Sequence, residues 1–265
     1  MIEVCEYISL PGAEINEDFF ACDGRCAILL DGATGLLPSG IEVRRYVRDF
    51  AELFLKQAAK SIEIYDAVNA ACDELRERYS AFDIDGEGDI LPSAAMIAIA
   101  EKDGIAEIVM LGDCTAVISK NDGKQVLHLT ELDRLDDKAK AEGVKISREQ
   151  GITVREAMQA PAVRDMLVRH RRLMNKDGGY ETLAFNMRPI TEAEVIKIPT
   201  AEILEITLFS DGFDALSECF LADEREPLSS LYRRLREEEN ADADFEKNPR
   251  FKAGDDATAV VLKFI

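Results

Sequence analysis

The run Ile28-Leu29-Leu30-Asp31-Gly32-Ala33-Thr34-Gly35 breaks off at an Asp-Gly after an apolar stretch, the pattern of a buried strand that carries one carboxylate to its own end. The same form returns in Leu208-Phe209-Ser210-Asp211-Gly212, and Gly254-Asp255-Asp256 opens a last apolar stretch over residues 257–265. Upstream, Asn16-Glu17-Asp18 sets two more carboxylates before Phe19-Phe20-Ala21, which reads as another strand. One Asp-Gly pair is an ordinary turn former. Four acidic clusters, each tied to an apolar strand, instead demand a fold that brings strand ends together. Converging carboxylates repel one another unless cations are present. Hard divalent cations such as magnesium and manganese take carboxylate, carbonyl and water oxygens. Glycine beside such a ligand lets the backbone turn tightly and lets its carbonyl approach an ion.

Residues 3–10, 19–22 and 25–31 read as strands, the last two joined by a primed hairpin turn in Cys22-Asp23-Gly24-Arg25. Asp18 and Asp31 then share one end of adjacent antiparallel strands, the geometry a common ion requires. Apolar residues at Val43, Tyr46, Val47, Phe50, Leu53 and Phe54, then at Ile62, Tyr65, Val68, Cys72, Leu75 and Tyr79, mark two amphipathic helices that pack on a sheet. Residues 83–89 form a solvated acidic loop, because the glycine is misplaced for a calcium loop and no closing glutamate follows. A meander of four strands is expected over residues 93–101, 105–111, 115–119 and 125–129, with Gly112-Asp113 at a boundary where Asp113 is either a turn residue or a ligand.

Residues 138–176 hold ten Lys or Arg against four acids, inside a chain whose net charge is −20. Thr153-Val154-Arg155-Glu156 has capping-box form, and Val163, Met166, Leu167, His170, Leu173 and Met174 make an apolar stripe. We read a basic helical insertion at about 134–180, whose basic face is either solvated or receives a substrate phosphate beside the carboxylates. Strands are expected over 182–186, 194–198 and 205–210, a helix over 227–236, a polar loop over 237–252, and a last strand from Asp255. His128 and His170, the two histidines, lie in apolar patterns and read as packing residues.

With 265 residues the chain can bury its core as one large domain. Its acidity argues against nucleic acid or an anionic membrane as a general partner. No apolar stretch reaches the roughly 20 residues of a membrane span, and Met1-Ile2-Glu3-Val4-Cys5-Glu6 has no signal-peptide form, so the expected location is cytoplasmic. Six scattered cysteines read as reduced, and Cys22 with Cys26 lacks the second pair that a zinc site needs.

The order Asn16-Glu17-Asp18, Asp31-Gly32-Ala33-Thr34-Gly35, Gly112-Asp113, Ser210-Asp211-Gly212 and Asp255-Asp256-Ala257-Thr258 resembles the metal-dependent serine/threonine protein phosphatases of type 2C, the PPM family, in its bacterial form. The resemblance spans nearly the whole chain. It implies an α+β fold, a four-layer αββα sandwich of two antiparallel sheets flanked by helices, as a single phosphatase-like domain over 1–265. It further implies two manganese or magnesium ions, with Asp31 bridging them, Asp211 and Asp255 completing one and the Gly32 carbonyl the other, and Glu17 and Asp18 binding directly or through water. Asp31, Asp211 and Asp255 are thus the expected catalytic residues, and Asp113 the candidate for a third ion. The implied reaction is hydrolysis of phosphoserine or phosphothreonine in a protein substrate, a signalling role, by a water held between the ions.

Some positions depart from the family. Ala13 stands where a phosphate-contacting Arg is frequent, Ala33 where a leaving-group His is frequent, and Ala215 where a third-metal Asp is usual, with Asp214 one residue early. Arg164, Arg169 or Arg172 of the insertion is expected to supply the missing phosphate contact. Two further readings stand beside the first. One is a phosphatase-fold binding or regulatory module with little turnover, and the other a phosphatase of small phosphate esters.

Overall fold

The computed structural model describes residues 1–36, 39–60, 63–85, 91–222 and 224–265; Ile62 and residues 86–89 of the acidic loop lie outside the described residues. One antiparallel sheet has the order β1 (Ile2–Leu10), β10 (Ala257–Phe264), β9 (Ile203–Phe209), β6 (Thr115–Lys120), β7 (Gly123–Leu127). The other runs β2 (Phe19–Cys22), β3 (Cys26–Ala33), β4 (Ser93–Lys102), β5 (Ile105–Leu111), β8 (Ile196–Pro199).

The unbroken apolar run of β3 follows from its place in the sandwich, since side chains alternate across a strand and both faces of this one are dry. Ala27 and Leu29 turn into the core between the sheets, against Ile97, Ile108, Ile206, Leu208 and Val260. Ile28 and Leu30 turn outward and pack under α1 (Val43–Ala58) and α2 (Ile64–Arg78), whose Tyr46, Phe50, Phe54, Val68 and Leu75 are buried there. On the other side, Val117, Phe209 and Val261 meet Phe213, Phe220, Leu231 and Leu235. Those four residues come from a 3-10 segment (Asp211–Leu216), α6 (Ser217–Leu221) and α7 (Leu228–Ala241). The layers are therefore α, β, β, α, as expected. Three more helices, α3 (Glu131–Gln150), α4 (Val154–Ala157) and α5 (Pro161–Arg171), pack on one another through Ala139, Ile146, Ala157 and Val163. The Thr153/Glu156 capping box closes α4, and Pro161 starts α5 rather than interrupting a helix.

Several expectations are corrected. The four-strand meander is divided, with β4 and β5 in one sheet and β6 and β7 in the other. The crossing is made at Gly112, whose φ of 74° and whose missing Cβ, which would lie 2.5 Å from the Ala95 Cβ, both require glycine. The first hairpin turns on Gly24-Arg25 rather than Asp23-Gly24: Asp23 N–H donates to the Cys26 carbonyl at 3.1 Å and Gly24 has φ 88°. Residues 182–186 are not a strand; Leu183 makes one bridge to Ala94. Part of the expected polar loop over 237–252 is helix, because α7 continues to Ala241. Among the described residues no helix is long and apolar enough to cross a membrane.

Candidate metal centre

The two sheets pack face to face, and at one mouth of the sandwich each contributes acids. Asp18 precedes β2 and Asp31 lies in β3, while Asp211 follows β9 and Asp255 precedes β10. Hydrogen bonds cross the seam: Ser210 Oγ donates to Asp18 Oδ2 at 2.8 Å, and Asp211 N–H donates to Asp31 Oδ2 at 3.4 Å. Ser210 Oγ also accepts Thr258 N–H at 3.0 Å, so this hydroxyl ties the starts and ends of three strands. The backbone must approach closely to achieve this. A Cβ on Gly212 would lie 1.9 Å from the Asp256 carbonyl oxygen, and one on Gly32 would lie 2.5 Å from that of Glu17.

These acids open into a cleft of about 690 Å³, lined by Glu17, Asp31, Asp113, Asp211, Asp255 and Asp256 together with Lys252, His170 and Arg171. Solvent reaches part of Asp31, but the protein around it desolvates the carboxyl. Burial first, then the charges of Asp211, Asp18, Asp113 and Asp255, hold its pKa well above the carboxylate range. Burial and Asp255 do the same to Asp211. Asp18 is pushed up to about 7, chiefly by burial, although bonds from Ser210 and Thr258 oppose this. Its Oδ1 is buried with no hydrogen-bond partner among the described residues. Asp113, 8% exposed, rises to about 6 by burial, with Asp136 and Asp133 of α3 adding repulsion.

The donor set suits a hard divalent cation. It consists of carboxylates whose shared charge is unfavourable, an orphaned buried oxygen on Asp18, and glycine backbone pressed against the ligand-bearing loops. Among the described residues no three acidic, imidazole or thiol groups already stand as a closed cage. Two of the neighbouring acids are held by protein. Glu17 accepts the Thr34 hydroxyl and Thr34 N–H. Asp256, which sequence reasoning treated only as part of a motif, accepts Gly12 N–H at 2.9 Å on Oδ1 and Glu17 N–H at 2.7 Å on Oδ2. It braces the loop that carries Glu17 and Asp18.

The arginines expected at the phosphate do not reach the cleft. Arg164, Arg169 and Arg172 are exposed and absent from its walls, whereas Arg171 lines it and donates to the carbonyls of Ala33 at 2.9 Å and Leu91 at 3.3 Å. Helical spacing groups Leu167, His170 and Arg171 at i, i+3 and i+4, and all three face the cleft, but spacing alone does not say which face of the helix meets it. His170, read as packing, borders the cleft with its Nδ1 buried and without a hydrogen-bond partner among the described residues. His128 is bonded to Thr115 at 2.8 Å and to Asp133 at 2.6 Å. A second acidic hollow of about 250 Å³ adjoins the cleft, lined by Asp113, Asp133, Asp136, Asp137, Asp211 and Asp214 with Lys140. The α3 acids among them were not foreseen.

No protein-family model matches the chain, and no curated protein matches it by sequence. Solved structures do match in fold. The chain is similar to the serine/threonine phosphatase Stp1 from Staphylococcus aureus at 11% identity and a TM-score of 0.55, covering 100% of this chain and 96% of that one. It is similar to the PPM Ser-Thr phosphatase MsPP from Mycobacterium smegmatis in complex with cacodylate, at 15% identity and a TM-score of 0.51, covering 99% of each chain. A third match is the catalytic domain of the serine/threonine protein phosphatase PstP in complex with two manganese ions, at 15% identity and a TM-score of 0.51, covering 99% of this chain and 97% of that one. The chain has the fold of the PPM-type phosphatases.

Proposed function

We propose that this chain is a metal-dependent phosphoprotein phosphatase of the PPM type, acting on phosphoserine or phosphothreonine. The observation that carries the reading is the convergence of Asp31, Asp211 and Asp255 from two sheets at one cleft, with Asp18 buried beside them; burial and mutual repulsion disfavour the ionised forms of Asp18, Asp31 and Asp211 until a cation arrives. The two manganese ions named for PstP, and the shared fold, support two ions of manganese or magnesium. When bound, the ions supply an activated water and draw off charge from the phosphoryl oxygens. Asp31 would hold both, Asp211 and Asp255 one, and the Gly32 carbonyl the other, with Glu17 and Asp18 behind them; Asp113 would serve a third. Arg171, fixed on the Ala33 and Leu91 carbonyls, shapes the cleft wall at the end of β3. Helices α3 to α5 form an insertion in a single phosphatase domain, and it closes that side of the cleft.

The test is hydrolysis of an aryl phosphate and of a phosphopeptide with added manganese, in the wild type and in folded Asp31→Ala and Asp211→Ala variants. Manganese-dependent turnover lost in both variants is expected. Activity on the aryl phosphate alone would instead mark a small-ester phosphatase. No turnover on either substrate, despite bound manganese, would favour a binding module, the reading to which Ala13 and Ala33 point.

A further inference from the structure

A phosphate dianion entering this cleft meets a wall of acids. Among the described residues that line it, the basic side chains are Lys252, Arg171 and His170. Arg171 is spread across two backbone carbonyls, at 2.9 and 3.3 Å, which fixes its guanidinium to the wall. Lys252 is placed differently. Its side chain is 65% exposed at the mouth, on a flexible stem, and its Nζ lies 2.8 Å from Asp255 Oδ1. The neighbouring wall is bare. A Cβ on Gly12 would lie 2.4 Å from the Asp255 carbonyl carbon and 2.5 Å from the Gly254 carbonyl oxygen, so residues 12–13 pack directly on 254–255. Ala13 presents only a methyl group to that side of the cleft.

We propose that Lys252 is the side chain that receives the substrate's phosphate. The inference rests on the phosphatase reading. When a divalent ion takes Asp255, that carboxylate no longer needs the ammonium, and Lys252, with three N–H donors, turns one or more of them to a phosphoryl oxygen. The cation that balances the acids without metal becomes the cation that holds the substrate with metal. No other described cleft residue combines a permanent charge, a free-swinging stem and a position beside Asp255.

The experiment uses manganese-loaded wild type, Lys252→Met, which keeps the apolar stem, and Lys252→Arg, with folding checked by circular dichroism. Inorganic phosphate binding is measured by calorimetry, manganese binding by the same method, and kcat and KM on an aryl phosphate. Loss of one charge-assisted hydrogen bond weakens binding by about tenfold or more. The expected result is that loss in phosphate affinity and a matching rise in KM for Lys252→Met, with Lys252→Arg recovering most of both. Manganese affinity should stay equal or become tighter, since a competitor for Asp255 is gone. Unchanged phosphate affinity in Lys252→Met overturns the proposal, and tighter manganese binding with no phosphate effect would assign Lys252 as a counter-ion only. Absence of phosphate binding to the loaded wild type overturns it as well. The calorimetric arm needs no turnover, so failure of the phosphatase reading and failure of the Lys252 assignment are separately visible.

Discussion

Asp255 and Asp256 are neighbours with opposite tasks, and replacing each by asparagine separates them. Both oxygens of Asp256 accept backbone N–H groups, from Gly12 at 2.9 Å and Glu17 at 2.7 Å. Asparagine keeps one acceptor and turns an NH2 toward the other N–H, so one charge-assisted bond is lost and a donor faces a donor. A hydrogen bond to a charged group contributes about 1.5–3 kcal/mol, and an unmade partly buried donor costs about 1 kcal/mol more. Because the site is only partly buried, Asp256→Asn should destabilise the protein by about 2–3 kcal/mol, or about 4–12 °C in Tm for a chain of this size. Urea and thermal unfolding in a chelating buffer measure this without metal linkage. Asp255→Asn retains the Oδ1 that accepts Asp256 N–H at 3.0 Å, and should change stability by less than about 1 kcal/mol while losing manganese binding. Asp256→Asn should still bind manganese. Stability within about 0.5 kcal/mol of wild type for Asp256→Asn, or manganese binding abolished in it as fully as in Asp255→Asn, would refute the assignment of Asp256 as a brace.

Other outcomes follow from the same geometry. Unfolded carboxylates ionise near pH 4, whereas Asp18 holds its proton to about 7 and Asp31 and Asp211 are also raised, so metal-free stability should fall as pH climbs from about 4 to 7. Urea midpoints at pH 5.5 and 7.5 with chelator test this, and manganese should remove the fall; a flat or rising profile would count against it. Gly212→Ala should destabilise by about 1–3 kcal/mol, because its methyl group meets the Asp256 carbonyl, and a neutral result in urea unfolding would show the loop gives freely. His128 should titrate above its ordinary 6.5, since the bond its Nε2–H donates to the Asp133 carboxylate holds its proton, which makes its stabilisation complete below about pH 6.5 and lost as pH rises through the folded value. Proton NMR of wild type and Asp133→Asn checks this, the variant titrating lower.

What could be read from residues alone was governed by how local the signal is. Asp31 and Asp211 were legible because an apolar strand ending in Asp-Gly is a local pattern, and the residue types fix the chemistry. The splitting of the meander was not, because Gly112-Asp113-Cys114 reads as a turn whether the next strand returns to its own sheet or crosses to the other; only the contact of Gly112 with Ala95 decides. Arg171 was missed because a helix with basic residues on several faces does not declare which one faces the cleft. That choice was made by carbonyls of Ala33 and Leu91, far away in the chain. The brace at Asp256 depends likewise on Gly12 and Glu17, partners more than two hundred residues distant.

Because Asp18 and Asp31 belong to one sheet while Asp211 and Asp255 belong to the other, the cleft is a joint between two plates. Any sliding of one plate over the other changes the spacing of the acids, and an ion seated among them acts as a rivet against that shear. Loading the site should therefore be audible at a distance. Amide exchange in the middle of β3 and β10, around Leu29 and Val260, should slow on manganese binding, although neither residue touches the cleft.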